Sequence, residues 1–213
     1  MDYQTFKNKV KHLPLLRSAD LSRLERDPQV IRNQLTRWRA KKLLLKLRKG
    51  IYLLNSDDRA ITPSRAFLAS QLYTPSYISL EYALNFYGLI PEAVFAVTSI
   101  TTRKTMRFSN LEGEFVYQHI QPGAFRGFRV LKDDVGLPYF IAEPEKAVVD
   151  FLHFNFSKKT AERIARFGGS YRFQHVNQLK PRKLLRYAKL FYGSAMMDAA
   201  EDFCAFIRQE AKR

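Results

Sequence analysis

Apolar residues recur at helical spacing from the start of the chain, and the first sixty positions parse into six elements. Phe6 and Val10 share one side of a segment whose other side carries Lys7 and Lys11, which predicts a helix over residues 3–12 that Pro14 stops. Leu15-Leu16-Arg17 reads as a short strand. Ser18 reads as the N-cap of a helix over Ala19–Arg26, with Leu21 and Leu24 turned inward. Asp27 is a suitable cap for a third helix, and Pro28 fits its first position, where no backbone N–H is needed. Along that helix Ile31, Leu35 and Trp38 fall at i, i+4 and i+7 and share one face. Gln29, Asn33, Thr36 and Ala40 occupy the opposite face, flanked by Arg32 and Arg37. Two apolar runs, Leu43–Leu47 and Ile51–Leu54, then enclose Arg48-Lys49-Gly50, which predicts a hairpin with a cationic tip.

After the polar stretch Asn55-Ser56-Asp57-Asp58-Arg59 the pattern changes. Thr62-Pro63-Ser64 opens a helix over Arg65–Leu72, and Ser79 reads as the cap of another over Leu80–Tyr87, which Gly88 ends. Residues 94–108, Glu114–Ile120, Gly127–Leu131 and Pro138–Ala142 read as strands, and Glu143-Pro144-Glu145 starts a helix through Phe154. Residues 155–213 read as helical, with breaks at Gly168-Gly169, Pro181 and Gly193. The last helix, Ala195–Glu210, puts Met196, Ala199, Ala200, Phe203 and Phe206 on its apolar side. The expected fold class is therefore α+β: a DNA-binding domain over residues 1–56, and an α+β domain over 61–213. In the second domain a small, mostly antiparallel sheet (61–154) precedes a basic helical region (155–213).

Helix, short strand, helix, helix, strand, strand is the order of a winged helix-turn-helix. In that arrangement the helix Pro28–Lys42 enters the DNA major groove with Gln29, Asn33 and Thr36 nearest the bases. Arg32 and Arg37 grip bases or phosphates, and Arg48 and Lys49 anchor the wing on the backbone. Ser18 is a further candidate phosphate contact, although capping its own helix is the more ordinary role. The alternative for each of these cations is a merely solvated surface.

Charge supports a polyanionic partner. The chain has 213 residues and a formal net charge of +16. Residues 1–60 hold 15 Lys/Arg against 6 Asp/Glu, residues 61–154 hold 8 against 9, and residues 155–213 hold 13 against 5. Two basic ends thus flank a neutral middle, as expected of a protein that neutralises phosphates. In the C-terminal part Lys158, Lys159, Arg163, Arg166, Arg182, Lys183 and Arg186 are candidate contacts to nucleic acid or a partner. Hydrophobic content of 46% excludes bulk disorder. No apolar run approaches the ~20 residues of a membrane helix, and the N-terminus lacks a signal-peptide core, so no membrane association is expected. A single cysteine, Cys204, excludes an intrachain disulfide and fits a cytoplasmic setting.

Catalytic chemistry finds little support. His12, His119, His153 and His175 are scattered and show no metal-ligand spacing with Cys204. No glycine-rich phosphate loop is present. Glu143, Glu145, Lys146 and Asp150 are the one cluster that could hold Mg²⁺. Its acids also suit a helix N-terminus, and Lys146 with Asp150 is the spacing of an ordinary helix-surface pair. Tyr77, Tyr82 and Tyr87 are expected in the core rather than stacked on bases. No enzyme, metal or cofactor is expected.

Several segments resemble the AbiEi antitoxin family: Asn33–Leu54 with its Leu47-Arg48-Lys49-Gly50-Ile51-Tyr52, Pro75–Leu84, Tyr87–Pro91, Val97–Thr102 and Ile141–Asp150, in family order. The resemblance covers most of residues 15–155. It implies an antitoxin of a two-gene type IV toxin–antitoxin system whose winged helix binds inverted repeats in its own promoter and represses it. It also implies that the C-terminal domain neutralises a nucleotidyltransferase toxin, often without a stable complex. A monomer or weak dimer, paired on the operator, is expected. Two other readings stay open: a winged-helix regulator whose second domain senses a small ligand, and a metal-dependent nucleic-acid enzyme.

Overall fold

The computed structural model describes residues 1–21, 27–156 and 163–212, which form an α+β protein with two separate sheets. Helix α1 (Tyr3–Val10) begins where the Asp2 carboxylate accepts the Thr5 N–H at 2.9 Å. It is followed by β1 (Leu16–Arg17), α2 (Ser18–Leu21), α3 (Pro28–Ala40), β2 (Leu44–Arg48) and β3 (Ile51–Leu54). The Asp27 side chain accepts the Gln29 N–H at 2.8 Å, so the cap of α3 forms as the sequence predicts. Helix α2 starts at Ser18 rather than after it; the stretch expected to continue to Arg26 lies outside the described residues. The strands order as β1-β3-β2, antiparallel throughout. Gly50 turns the hairpin with φ +79°, and a Cβ there would lie 3.1 Å from the Ser18 hydroxyl, so glycine meets both a backbone and a space requirement.

Strand β3 joins two cores. Leu54 and the half-buried Tyr52 pack with Phe6, Ile31, Leu35 and Trp38, while Ile51 and Leu53 belong to the larger core of residues 61–213. A strand with one wet face alternates apolar and polar residues; Ile51-Tyr52-Leu53-Leu54 does not, because both its faces are covered. Full burial of each such side chain contributes ~1.5–3 kcal/mol. Polar contacts reinforce the join: Asp58 accepts from Tyr3 and Lys7 at 2.6 and 3.0 Å, and Arg59 pairs with Glu112 at 3.2 Å.

The second sheet has six strands in the order β6-β7-β5-β4-β9-β8. They are β4 (Ser76–Ile78), β5 (Ala96–Thr101), β6 (Met106–Asn110), β7 (Gly113–His119), β8 (Phe128–Lys132) and β9 (Pro138–Ala142). β4/β5, β6/β7 and β8/β9 are antiparallel, but β5/β7 and β4/β9 are parallel, so the sheet is mixed. The single strand expected over 94–108 is two, and β4 was not expected at all. Its three residues are buried and follow Pro75 directly, leaving no run long enough to show a period of two. Around the sheet lie α4 (Arg65–Leu72), α5 (Leu80–Phe86), α6 (Pro144–Asn155), α7 (Arg163–Gly168), α8 (Pro181–Ala188) and α9 (Ser194–Glu210). α6 packs on α5, α8 and α9. The apolar stripe of α9 is buried over its whole length, including Cys204, whose thiol burial pushes up.

Candidate nucleic-acid interface

Helix α3 presents two opposed faces. Ile31, Leu35 and Trp38 are buried against α1, where the Trp38 and Phe6 ring centroids lie 4.5 Å apart. Gln29, Arg32, Asn33, Thr36 and Arg37 are all exposed. The Gln29 amide donates to Asn33 Oδ1 at 3.2 Å, and the Thr36 hydroxyl donates to the Arg32 carbonyl at 3.0 Å. Among the described residues, the Arg32 and Arg37 guanidiniums make no hydrogen bond or ion pair. The face therefore offers amide, hydroxyl and guanidinium groups whose bonding is local or absent, with the Asp27 carboxylate at its N-terminal end.

The hairpin divides its two cations. Lys49 is exposed at the tip. Arg48 is half-buried and stands at the join with the six-stranded sheet, where the Asn110 amide donates to the Leu47 carbonyl at 3.1 Å. Burial, and then the neighbouring Arg17 and Arg103 guanidiniums, hold Arg48 below the ordinary arginine value. Ser18 is exposed, and its backbone N–H donates to the Gly50 carbonyl at 2.9 Å, tying α2 to the hairpin turn. Sequence reasoning passed over Arg17 and Arg103; strand register places one of them and the fold of the second sheet the other.

The described C-terminal cations stand in different surroundings. Arg163 is 1% exposed and pairs with Asp202 at 2.7 Å, which corrects its expected role as a surface contact. Lys183 bridges Glu143 and Glu145 at 3.1 Å each. Arg166 is half-buried over the Phe156 ring, 5.1 Å from its centroid. Arg182 and Arg186 are exposed beside Lys180 on an open cleft of about 760 Å³ at the start of α8. Lys158 and Lys159 lie outside the described residues.

The carboxylates of the candidate metal cluster are committed elsewhere. Glu143 accepts from the Tyr187 hydroxyl and from Lys183. Burial pushes its carboxyl up, yet those bonds leave it below the usual value. Glu145 is 4% exposed and accepts the Lys180 N–H at 3.2 Å. Lys146 and Asp150 are not the surface pair their spacing suggested: both are 0% exposed and paired to each other. Asp150 also accepts from the Tyr77 hydroxyl at 3.0 Å and the Ser79 hydroxyl at 2.8 Å. Burial pushes the Lys146 ammonium down and Asp150 opposes it. Ser79 spends its hydroxyl here instead of capping α5, and so pins α6 to the β4–α5 junction. Of the three tyrosines, Tyr77 is fully buried, and Tyr87 is half-buried with its hydroxyl on the Ala142 carbonyl at 2.7 Å.

A cleft of about 410 Å³ between α5 and α6 is lined by Ile90, Val94, Phe95, Phe151 and Tyr171, with Glu81, Glu92 and Thr98 among its polar groups. Glu92 pairs with Arg172, and the Thr98 hydroxyl donates to the Ser79 carbonyl while accepting the Tyr82 N–H. Glu92 and Thr98 are thus already bonded within the protein. Among the described residues, no group of three or more His, Cys, Asp or Glu is placed to hold a metal ion, and no helix is long and apolar enough to cross a membrane. No protein-family model matches this chain, and no curated protein matches it in sequence.

Proposed function

We propose that this chain is a DNA-binding autorepressor of the AbiEi antitoxin type, with residues 1–56 as a winged helix-turn-helix. The observation that carries the reading is the exposed face of α3. It sets Gln29, Arg32, Asn33, Thr36 and Arg37 opposite a buried apolar stripe, with a hairpin bearing exposed Lys49 directly after it. Gln and Asn amides match adenine edges in the major groove, and Arg matches guanine or a phosphate. In this reading α3 lies in the major groove, Lys49 meets the adjacent backbone, and two copies sit on one inverted repeat. The antitoxin role is drawn from the AbiEi-like segments: the C-terminal unit neutralises a nucleotidyltransferase toxin encoded beside it.

The test is a gel shift with the DNA just upstream of the protein's own gene against scrambled DNA, at ~150 mM salt, because a chain of this charge binds any DNA at low ionic strength. Selective binding is expected, and Asn33→Ala should weaken specific binding by ~1–3 kcal/mol while sparing non-specific binding. Equal affinity for both DNAs would refute the autorepressor reading. Selective binding makes the neighbouring gene the toxin candidate, which co-expression with this chain then tests directly.

A further inference from the structure

We propose that Arg17, Arg48 and Arg103 form an anion site that takes one phosphate group, at the seam between the N-terminal hairpin and the six-stranded sheet. Register brings the first two together. Arg17 and Arg48 both stand opposite Ile51, one from each side of β3; Arg17 leaves the sheet on the face of Ile51, and a bulge after Lys46 sets Arg48 against the same residue. Ile51 belongs to the larger core, so this face looks toward the second unit. Strands ~4.8 Å apart put the two arginine backbones ~10 Å apart, a gap that two guanidiniums span from either side.

The second unit supplies the rest. Arg103 follows β5, with its guanidinium 4.6 Å from the Tyr73 ring centroid and bonded to the Thr74 carbonyl at 3.2 Å. Arg17 is held by Gln71 at 2.8 Å. Both arginines are thus fixed by neutral groups that leave their charge uncancelled. Arg48, which shares Ile51 with Arg17 as its register partner, has a buried Nε with no hydrogen-bond partner. Among the described residues no carboxylate pairs with any of the three, whereas the nearby acids are engaged: Glu112 with Arg59 and Glu114 with Arg107, at 3.2 Å each. A half-buried guanidinium near two like charges is unfavourable when nothing neutralises it. Guanidiniums are planar fork donors that bind phosphate oxygens bidentately, and three uncancelled ones at one seam suit a single phosphate group. Arg103 is exposed, so the site is open to solvent on its side.

The phosphate has two sources, free or in a nucleic-acid backbone, and only the second rests on the DNA-binding reading. The experiment uses the full chain, Arg103→Gln, and Lys212→Gln as a control for loss of one surface charge. Thermal melts at constant ionic strength, with chloride replaced by inorganic phosphate, report the free anion. A saturable rise in Tm that Arg103→Gln abolishes and Lys212→Gln keeps establishes a free-phosphate site. The salt dependence of duplex DNA binding reports the backbone source: Arg103→Gln then lowers the log–log slope by about 0.9, and Lys212→Gln does not. If phosphate acts equally on all three proteins, or on none, and the slope does not change, the site is overturned. If the wild type binds no DNA, the melts alone decide, and a missing phosphate response overturns it.

Discussion

Asp150 accepts hydrogen bonds from Lys146, Tyr77 and Ser79 in a place water does not reach. Removing one member of such a buried pair strands the other charge, so Lys146→Met should destabilise the protein by ~3–5 kcal/mol in urea unfolding. A loss under ~1 kcal/mol would mean that the two hydroxyls satisfy the carboxylate without the lysine. One turn along, His153 packs its ring 4.5 Å from that of Phe191. Burial lowers its pKa from 6.5, against the pull of Asp150. The unfolded chain therefore takes up the proton first, and stability present above pH 6.5 is lost as pH falls from there toward the native value. His153→Phe should flatten that acid-side decline, measured as urea midpoints from pH 8 to 5; parallel profiles would clear His153 of any part in it. Spacing had suggested that Lys146 and Asp150 were a solvated pair, because i,i+4 on a helix says that two residues meet but not what covers them.

Among the elements, α3 was legible nearly to the residue. Its period names the buried face, Asp27 and Pro28 mark its start, and these are local features that folding kept. The short β1 was also legible as a strand, at Leu16–Arg17. β4 was not: Ser76-Tyr77-Ile78 becomes a central strand because β5 and β9 arrive on either side of it from about twenty and sixty residues further on. The break inside residues 94–108 escaped for a related reason. Thr101 to Met106 reads as a continuation of a β-rich run, yet β5 pairs with β7 and leaves β6 to cross to the outer edge. The exposure of Gln29, Arg32, Asn33, Thr36 and Arg37 was legible for the same reason as the helix itself. The half-burial of Arg48 was not, because its neighbours Arg103, Tyr73 and Tyr117 come from another unit.

At the scale of the whole molecule, the sharing of β3 by two cores makes the halves interdependent. Leu53 is 1% exposed and lies in the larger core, while Leu54 beside it lies in the smaller. Leu53→Ala should therefore cost ~2–5 kcal/mol and raise amide hydrogen exchange in both α3 and the six-stranded sheet together. Loosening confined to one unit would show that the seam carries no coupling. Two of the basic residues along the chain are engaged by carboxylates, Arg163 by Asp202 and Lys183 by Glu143 and Glu145.

Residue order alone was enough for the α+β class, the order of the first six elements, the face of α3 that meets the core and the face that does not. Each follows from local periodicity, capping chemistry and turn residues, which act within a few positions. The pairing of Lys146 with Asp150 out of water, the withdrawal of Arg163 from the surface and the meeting of Arg17, Arg48 and Arg103 were decided by tertiary structure. Burial and charge neutralisation depend on what lies across a gap in space, and here those groups come from strands and helices tens of residues apart.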